Sequence, residues 1–540
     1  MRDLNFAASH ATFDEVKHRL ITSAAGDQWR RLGVKNRHGI SVALSSLHTS
    51  ETEGIGSFFD LIPLIDWCAA TGLEVIQLLP LNDSGRDPSP YSAITAYGLH
   101  PLYLSLSHLP GIESIDEIKA ERIALSQLTA EVRVPYHRVA AHKEAILFHY
   151  LKREARHFLE NPRYEEFLVE NEWIHGYALF KVLQEEHGDK NWSEWPQEHQ
   201  APSPITLSHL FEGYAAKMVP HSLLQYLAAL QLSEVRHYAE KKGVLLMGDI
   251  PILISNHSAD AWLHPNYFDP NYTVGAPPDH YSAVGQNWGA LPYRWKMLEE
   301  DGYKWWRERL RFAERFYHIY RIDHVVGFFR LWTIPAGQSG LHGSYAPAGM
   351  VNWLALGVAL LEMMLTSTTM LPIAEDLGSV PDEVRRTLLN MGICGTRVMR
   401  WERDYESAGS FISLNDYPPA TMTCVSTHDS EGLKLWWTVS PEDSQALSKI
   451  KGWTWAPYLS RDHLKALLYD SHHTKSLFHI NPLQEYLALF PELVSHNPAD
   501  ERINVPGTVA ETNWTYRFRP SIEEIANHPD LSGMIREILT

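Results

Sequence analysis

Cysteine is nearly absent from this sequence: three residues in 540, Cys68, Cys394 and Cys424. Each sits in an apolar segment with no Cys-x-x-Cys spacing. That excludes a disulfide framework and a thiolate metal centre, and it sets the expectation of a reduced, cytoplasmic setting. Positive charge is also short. Lys and Arg number 47 against 65 Asp and Glu, a formal net charge of −18, so neither a nucleic acid nor an anionic membrane is an expected partner. No apolar run of signal-peptide length opens the sequence. The longest greasy stretch, Trp353 to Leu365, contains Gly357 and Glu362 and reads as a buried helix. Low-complexity tracts, short repeats, phosphate loops and nucleotide fingerprints are missing too, and no cofactor is indicated.

What is abundant is aromatic: 18 Trp and 24 Tyr. Flat rings suit the faces of sugars, although most of them are expected to pack the core. From Gly39 onward, short β-prone runs alternate with helical patterns, the rhythm of a parallel sheet. The candidate strands are Ile40–Leu44, Glu74–Pro80, Val244–Ile250, His318–Asp323, Met370–Glu375, Thr396–Trp401, Met422–Thr427 and Arg502–Val505. Trp306, Leu310, Ala313 and Tyr317 mark one helix face between them. Ser379 with Asp382 resembles a capping box, followed by the stripe Val384, Leu388 and Met391 and a stop at Gly392. The rhythm breaks from about 83 to 242, where helical patterns such as Glu144 to Leu151 dominate. The reading is one α/β domain: a (β/α)8 TIM barrel over 39–540 with a large, mostly helical insertion at about 83–242, preceded by an N-terminal extension, 1–38.

Three of the candidate strands run into a carboxylate at or just past their ends, Asp323, Glu375 and Asp429, about fifty residues apart. In a parallel barrel all C-terminal strand ends open on one mouth, so acids placed there meet in one pocket. Retaining glycosidases need such a pair, one carboxylate as nucleophile and one as acid and then base, with further polar groups on the sugar. Arg321 lies two residues before Asp323 and therefore on the same strand face, a cation fit to partner a nucleophilic carboxylate. Glu375 follows Pro-Ile-Ala, an apolar setting that raises a carboxyl pKa and holds the proton an acid needs. His428 beside Asp429 adds hydrogen-bond donors for a substrate.

A metal reading would rest on His257, Asp260 and His264, or on the adjacent His472 and His473. Barrel metallohydrolases place His-x-His at the first strand end, and Ile40 to Leu47 has none. Satisfied or surface histidines, and no metal, are the expectation. No Asp-rich calcium loop is visible either.

An ordered series of strings resembles the 4-α-glucanotransferases, the amylomaltases or disproportionating enzymes of glycoside hydrolase family 77, over about 39 to 518. It comprises Gly54-Ile-Gly-Ser-Phe-Phe-Asp60-Leu, Ser89-Pro-Tyr91-Ser with Leu99-His-Pro-Leu, Gly248-Asp249-Ile-Pro, and Ser258-Ala-Asp260-Ala-Trp262. It continues through Pro277-Pro-Asp279-His-Tyr281-Ser-Ala-Val-Gly-Gln286-Asn-Trp288-Gly, Arg321-Ile-Asp323-His, Ala374-Glu375-Asp-Leu-Gly and Thr427-His428-Asp429. Arg502-Ile-Asn504-Val-Pro506-Gly-Thr and Asn513-Trp514 close it. The resemblance implies that Asp323 is the nucleophile, Glu375 the acid/base and Asp429 the transition-state stabiliser. It implies that Arg321, His428, Asp249, Tyr91 and Asn504 hold the sugar, and that Tyr281 and Trp288 enclose the glucan from a covering loop at 276–289. It implies an α-1,4-glucan donor and a glucose or maltooligosaccharide acceptor. An α-glucan hydrolase with the same acids and an inactive glucan-binding protein are the alternatives. Trp305-Trp306 and Trp436-Trp437 are expected in the core. Ser57, the Ser255-Asn-His257 string and a short 268–275 segment depart from the family pattern and bear on subsite preference.

Overall fold

The computed structural model describes residues 11–278, 283–404 and 409–540. Eight parallel strands form the barrel: β1 (Arg37–Val42), β2 (Val75–Leu78), β3 (Leu245–Ile250), β4 (Ile319–Ile322), β5 (Leu371–Ala374), β6 (Gly395–Val398), β7 (Thr421–Cys424) and β8 (Phe478–Pro482). Their spatial order is β6-β7-β8-β1-β2-β3-β4-β5. The ring closes where Ile373 bridges Cys394, with the Ala374 amide donating to the Cys394 carbonyl at 2.7 Å. Every residue of β2, β4 and β5 is buried, as parallel strands covered on both faces require.

Seven of the eight expected strands are present, with ends shifted by three residues at most. The eighth is not Arg502–Val505. That segment is loop, and β8 takes its place between β7 and β1. Phe478-His-Ile-Asn-Pro carries two polar side chains, so its composition hides it. Asn481 is satisfied inside the protein, donating to Ser471 at 2.9 Å and to Tyr486 at 3.1 Å, and one ring nitrogen of His479, Nε2, lies 3.1 Å from the Thr474 hydroxyl.

The covering helices follow their apolar stripes. Trp305, Trp306, Leu310 and Ala313 are buried along Lys304–Glu314, and Val384, Leu388 and Met391 along Asp382–Met391. The capping box at Ser379 does not form: the N-cap is Pro381, and Ser379 lies outside the helix with no cap bond. Helix Met350–Ser367 is long and apolar enough to cross a membrane, but it packs Trp353, Gly357, Leu360 and Met364 into the core. Gly357 is required there, because a Cβ would come 2.1 Å from the Phe329 ring. Trp436 and Trp437 are buried as well.

Residues 83–242 hold short 3-10 turns and then five longer helices, ending in the 39-residue helix Pro204–Lys242 that leads into β3. Two buried glutamines of that helix fasten the preceding loop. The Gln225 amide pairs with both main-chain groups of Leu99 at 2.8 Å, and Gln231 with those of Ser105 at 2.8 and 3.0 Å. Near the N-terminus, helices Phe13–Thr22 and Gly26–Leu32 dock under the barrel. Trp29 is fully buried and donates to the Gly392 carbonyl at 2.7 Å, just before β6.

Candidate active site

At the mouth, the parallel register sets Asp249 of β3 beside Arg321 of β4. One guanidinium nitrogen, Nη1 of Arg321, donates to Asp249 Oδ1 and Oδ2 at 2.9 and 2.8 Å and to Asp323 Oδ1 at 2.8 Å. Nη2 lies 4.0 Å from Glu375 Oε2. Three acids from three strand ends thus surround a single cation. Burial works against the charge on Arg321, but Asp249 and Asp323 outweigh it and hold the guanidinium protonated.

Asp249 has no exposed side-chain surface. It stands behind Arg321 rather than on the cleft wall, and it accepts a hydrogen bond from the Tyr91 hydroxyl at 2.8 Å. Tyr91 also lies 3.0 Å from His428 Nε2, and the two rings stack at 5.4 Å and 13°. Trp514 packs at a tilt against both rings. The result is an aromatic floor tied through Asp249 to Arg321.

Glu375 receives two main-chain hydrogen bonds, from His324 N–H to Oε2 at 2.8 Å and from Leu377 N–H to Oε1 at 2.9 Å. Burial nevertheless dominates and pushes its pKa up to about 7, with Asp323 adding to the rise and Arg321 opposing it. The first of those amides comes from a strained residue: His324 has φ of 47° in the left-handed region, uncommon for a non-glycine side chain. Asp429 goes the other way. Burial would raise its pKa, but His428, 3.2 Å away, and the Asn504 amide, donating at 2.7 Å, hold the carboxyl well below its usual range. Asn504 is positioned by its own N–H, which donates to the His428 carbonyl at 3.2 Å.

An open cleft of about 1990 Å³ runs over these groups, lined by Tyr91, Asp323, Glu375, Asp429, Asn504 and Trp514 among others. Trp288 stands on its rim, 42% exposed, edge-on to His324 at 5.1 Å. It follows the short strand Gln286–Asn287, which pairs with Tyr272–Ala276 in a small antiparallel sheet built on Leu331–Pro335. Tyr281 lies outside the described residues.

His257, Asp260 and His264 do not converge. His257 is 3.1 Å from Gln184, Asp260 accepts from Trp305 and the Ala96 amide, and His264 stacks on Tyr267. Ser57 is buried in a reciprocal cap with Asp60, away from the cleft wall. Two groups that composition did not single out are the His324 amide and the Trp514 ring. Both were visible only as neighbours of other residues in a string, since an amide has no side-chain signature.

A closed parallel barrel with paired acids around an open, aromatic-floored mouth defines a barrel enzyme acting on glycosidic bonds. The sequence pattern of the 4-alpha-glucanotransferase family, glycoside hydrolase family 77, matches residues 42–523. The chain belongs to that family, and its activity is that of a 4-α-glucanotransferase. It is 42% identical over 520 residues to the 4-alpha-glucanotransferase of Chlamydia pneumoniae, covering 96% of this chain and 98% of the relative. The Chlamydia caviae enzyme is 41% identical over 530 residues, covering 98% and 99%. Among solved structures, the amylomaltase from Streptococcus agalactiae in complex with acarbose superposes with a TM-score of 0.80 at 26% identity, covering 94% of this chain and 99% of that one.

Proposed function

We propose that this enzyme moves α-1,4-glucan segments from a donor glucan to the 4-hydroxyl of glucose or a maltooligosaccharide, by retaining double displacement with Asp323, Glu375 and Asp429 in named roles. The observation that carries the assignment is the placement of two carboxylates within 4.0 Å of one guanidinium, one ion-paired to it and the other pushed up to a pKa of about 7 by burial. Asp323, charge-paired with Arg321, attacks the anomeric carbon. Glu375, protonated near neutral pH, delivers its proton to the leaving oxygen and frees the first product. The acceptor 4-hydroxyl then gives its proton to Glu375 and displaces Asp323 from the glucosyl intermediate. Two inversions return the α configuration. Asp429, held ionised by His428 and Asn504, offers negative charge to the oxocarbenium-like transition state. Arg321 and His428 position the sugar, with Tyr91 and Trp514 as its apolar floor and Asp249 steadying Arg321.

Transfer requires that sugar outcompete water at the intermediate, and the hairpin bearing Trp288 is the element that shields it. Three buried, free cysteines fit a reducing, cytoplasmic location. Incubation with pure maltotriose tests the reading. Glucose with a ladder of longer maltooligosaccharides supports transfer to sugar acceptors, whereas glucose and maltose alone would replace it with hydrolysis.

A further inference from the structure

At the opposite end of the barrel, the β8–β1 register places His38 directly beside His479, with their rings stacked at 5.1 Å and 22°. His472, the last residue of helix Arg461–His472, brings a third imidazole, its Nδ1 2.8 Å from Nδ1 of His38. One ring nitrogen of each histidine lies within 4.8 Å of the other two. The remaining nitrogens of the two buried rings are engaged from behind. Nε2 of His472 lies 2.5 Å from the Tyr486 hydroxyl, and Nε2 of His479 lies 3.1 Å from Oγ1 of Thr474. This leaves Nδ1 of His479 buried without a hydrogen-bond partner. The Arg37 carbonyl interacts with that ring but falls short of full hydrogen-bond geometry at Nδ1. An orphaned buried nitrogen is costly, and its lone pair or proton calls for a partner.

We propose that His38, His472 and His479 form a binding site for a divalent first-row transition metal of the Zn²⁺ type, clamping the last strand of the barrel to the first. The donor set is three imidazoles with no carboxylate, which suits zinc, copper or nickel and disfavours calcium or magnesium. Zinc–nitrogen bonds of about 2.0–2.1 Å in a tetrahedral set place ligand nitrogens roughly 3.3 Å apart. The His38–His472 pair would therefore open by about half an ångström and the third nitrogen would draw in. Tyr486 and Thr474 act as the outer partners that orient ligating rings. His38 is the one partly exposed ring of the three, so water is the natural fourth ligand. His473 is turned away from the cluster, its Nδ1 held 2.7 Å from the Tyr469 carbonyl and its ring stacked on Tyr469. The N-terminal face of such a barrel serves stability rather than chemistry, so the metal is assigned a structural role at the closing seam.

The test uses full-length, tag-free protein, freed of metal by chelation and then dialysed against Zn²⁺ or Co²⁺ at micromolar free concentration. Bound metal is measured by elemental analysis, the Co²⁺ form by its visible absorption, and melting by calorimetry. The expected result is one metal per chain, tetrahedral Co²⁺ bands, and a melting temperature about 2–5 °C higher with Zn²⁺. His38→Asn, at the least buried position, should fold, lose at least nine-tenths of the bound metal, lose the Co²⁺ bands and no longer respond to Zn²⁺. His472→Ala serves as a second variant with the same expected loss. Equal binding by wild type and His38→Asn would place the metal on other histidines and overturn the proposal. Binding of less than a tenth of an equivalent by wild type would also overturn it, leaving a neutral His38–His472 hydrogen bond. Transfer activity is not needed to read any of these outcomes.

Discussion

At the C-terminal ends of the strands, Asp249, Asp323 and Glu375 crowd around Arg321, and His428 lies 3.2 Å from Asp429. At the N-terminal ends, His38, His472 and His479 crowd around one another, with Tyr486, Asn481 and Thr474 as their polar neighbours. Both clusters are largely buried, yet they reach opposite charge states. At the mouth Arg321, His428 and Asp429 face opposite charges that outweigh their desolvation, whereas at Glu375 burial outweighs Arg321. At the base, like faces like, and burial drives the rings neutral. His428 lines the cleft and His472 is buried; the pKa of His428 is raised by Asp429 while that of His472 is lowered by burial. Burial alone therefore does not decide what an ionisable group does; the balance between burial and the charges beside it does.

The contrast predicts that damage at the mouth removes activity and damage at the base removes stability. Asp323→Asn should lower transfer from maltotriose by on the order of 10⁴-fold with little change in melting temperature; a variant as active as wild type would break the assignment of the nucleophile. Trp29→Ala, under the base, should cost about 3–5 kcal/mol in chemical denaturation through the cavity it leaves. Its kcat at 25 °C should be unchanged, and a parallel loss of kcat would blur the two ends. Asp249→Asn lies between them, since its buried carboxylate steadies Arg321. It should lower kcat by about 10²-fold and also lower stability, because Arg321 keeps its burial and loses a charged partner.

Glu375 must be protonated to act as the acid, and burial has raised its pKa to about 7. Activity should therefore hold below that pH and fall about tenfold per unit above it. A rate profile flat from pH 6 to 9 would show that the proton comes from elsewhere. The smallest effect belongs to the rim: Trp288→Ala should raise the ratio of hydrolysis to transfer by a few-fold, read as free glucose against longer oligosaccharides.

Much of this arrangement was legible before folding. Fully buried parallel strands must be short apolar runs, so β2, β4 and β5 stand out, and a carboxylate after such a run lies at the mouth. The apolar lead-in Pro-Ile-Ala anticipated the raised pKa of Glu375, because the chain segment itself supplies part of the burial. β8 was not legible, since His479 and Asn481 break its apolar pattern and only their partners in the folded chain make them tolerable inside. Asp249 was legible as a site residue but not as a support: its place behind Arg321 depends on the β3–β4 register. His472 and His473 look alike in sequence, yet the helix end turns one inward and the other to solvent.

By itself, then, the sequence determined the barrel, the three acids and the chemistry they can perform, because strand periodicity and the order of strand ends are local properties of the chain. Tertiary structure alone decided which strand closes the ring, which charges face which, and which histidines meet. Those depend on contacts between residues hundreds of positions apart, and electrostatic energies follow distance in space rather than distance along the chain.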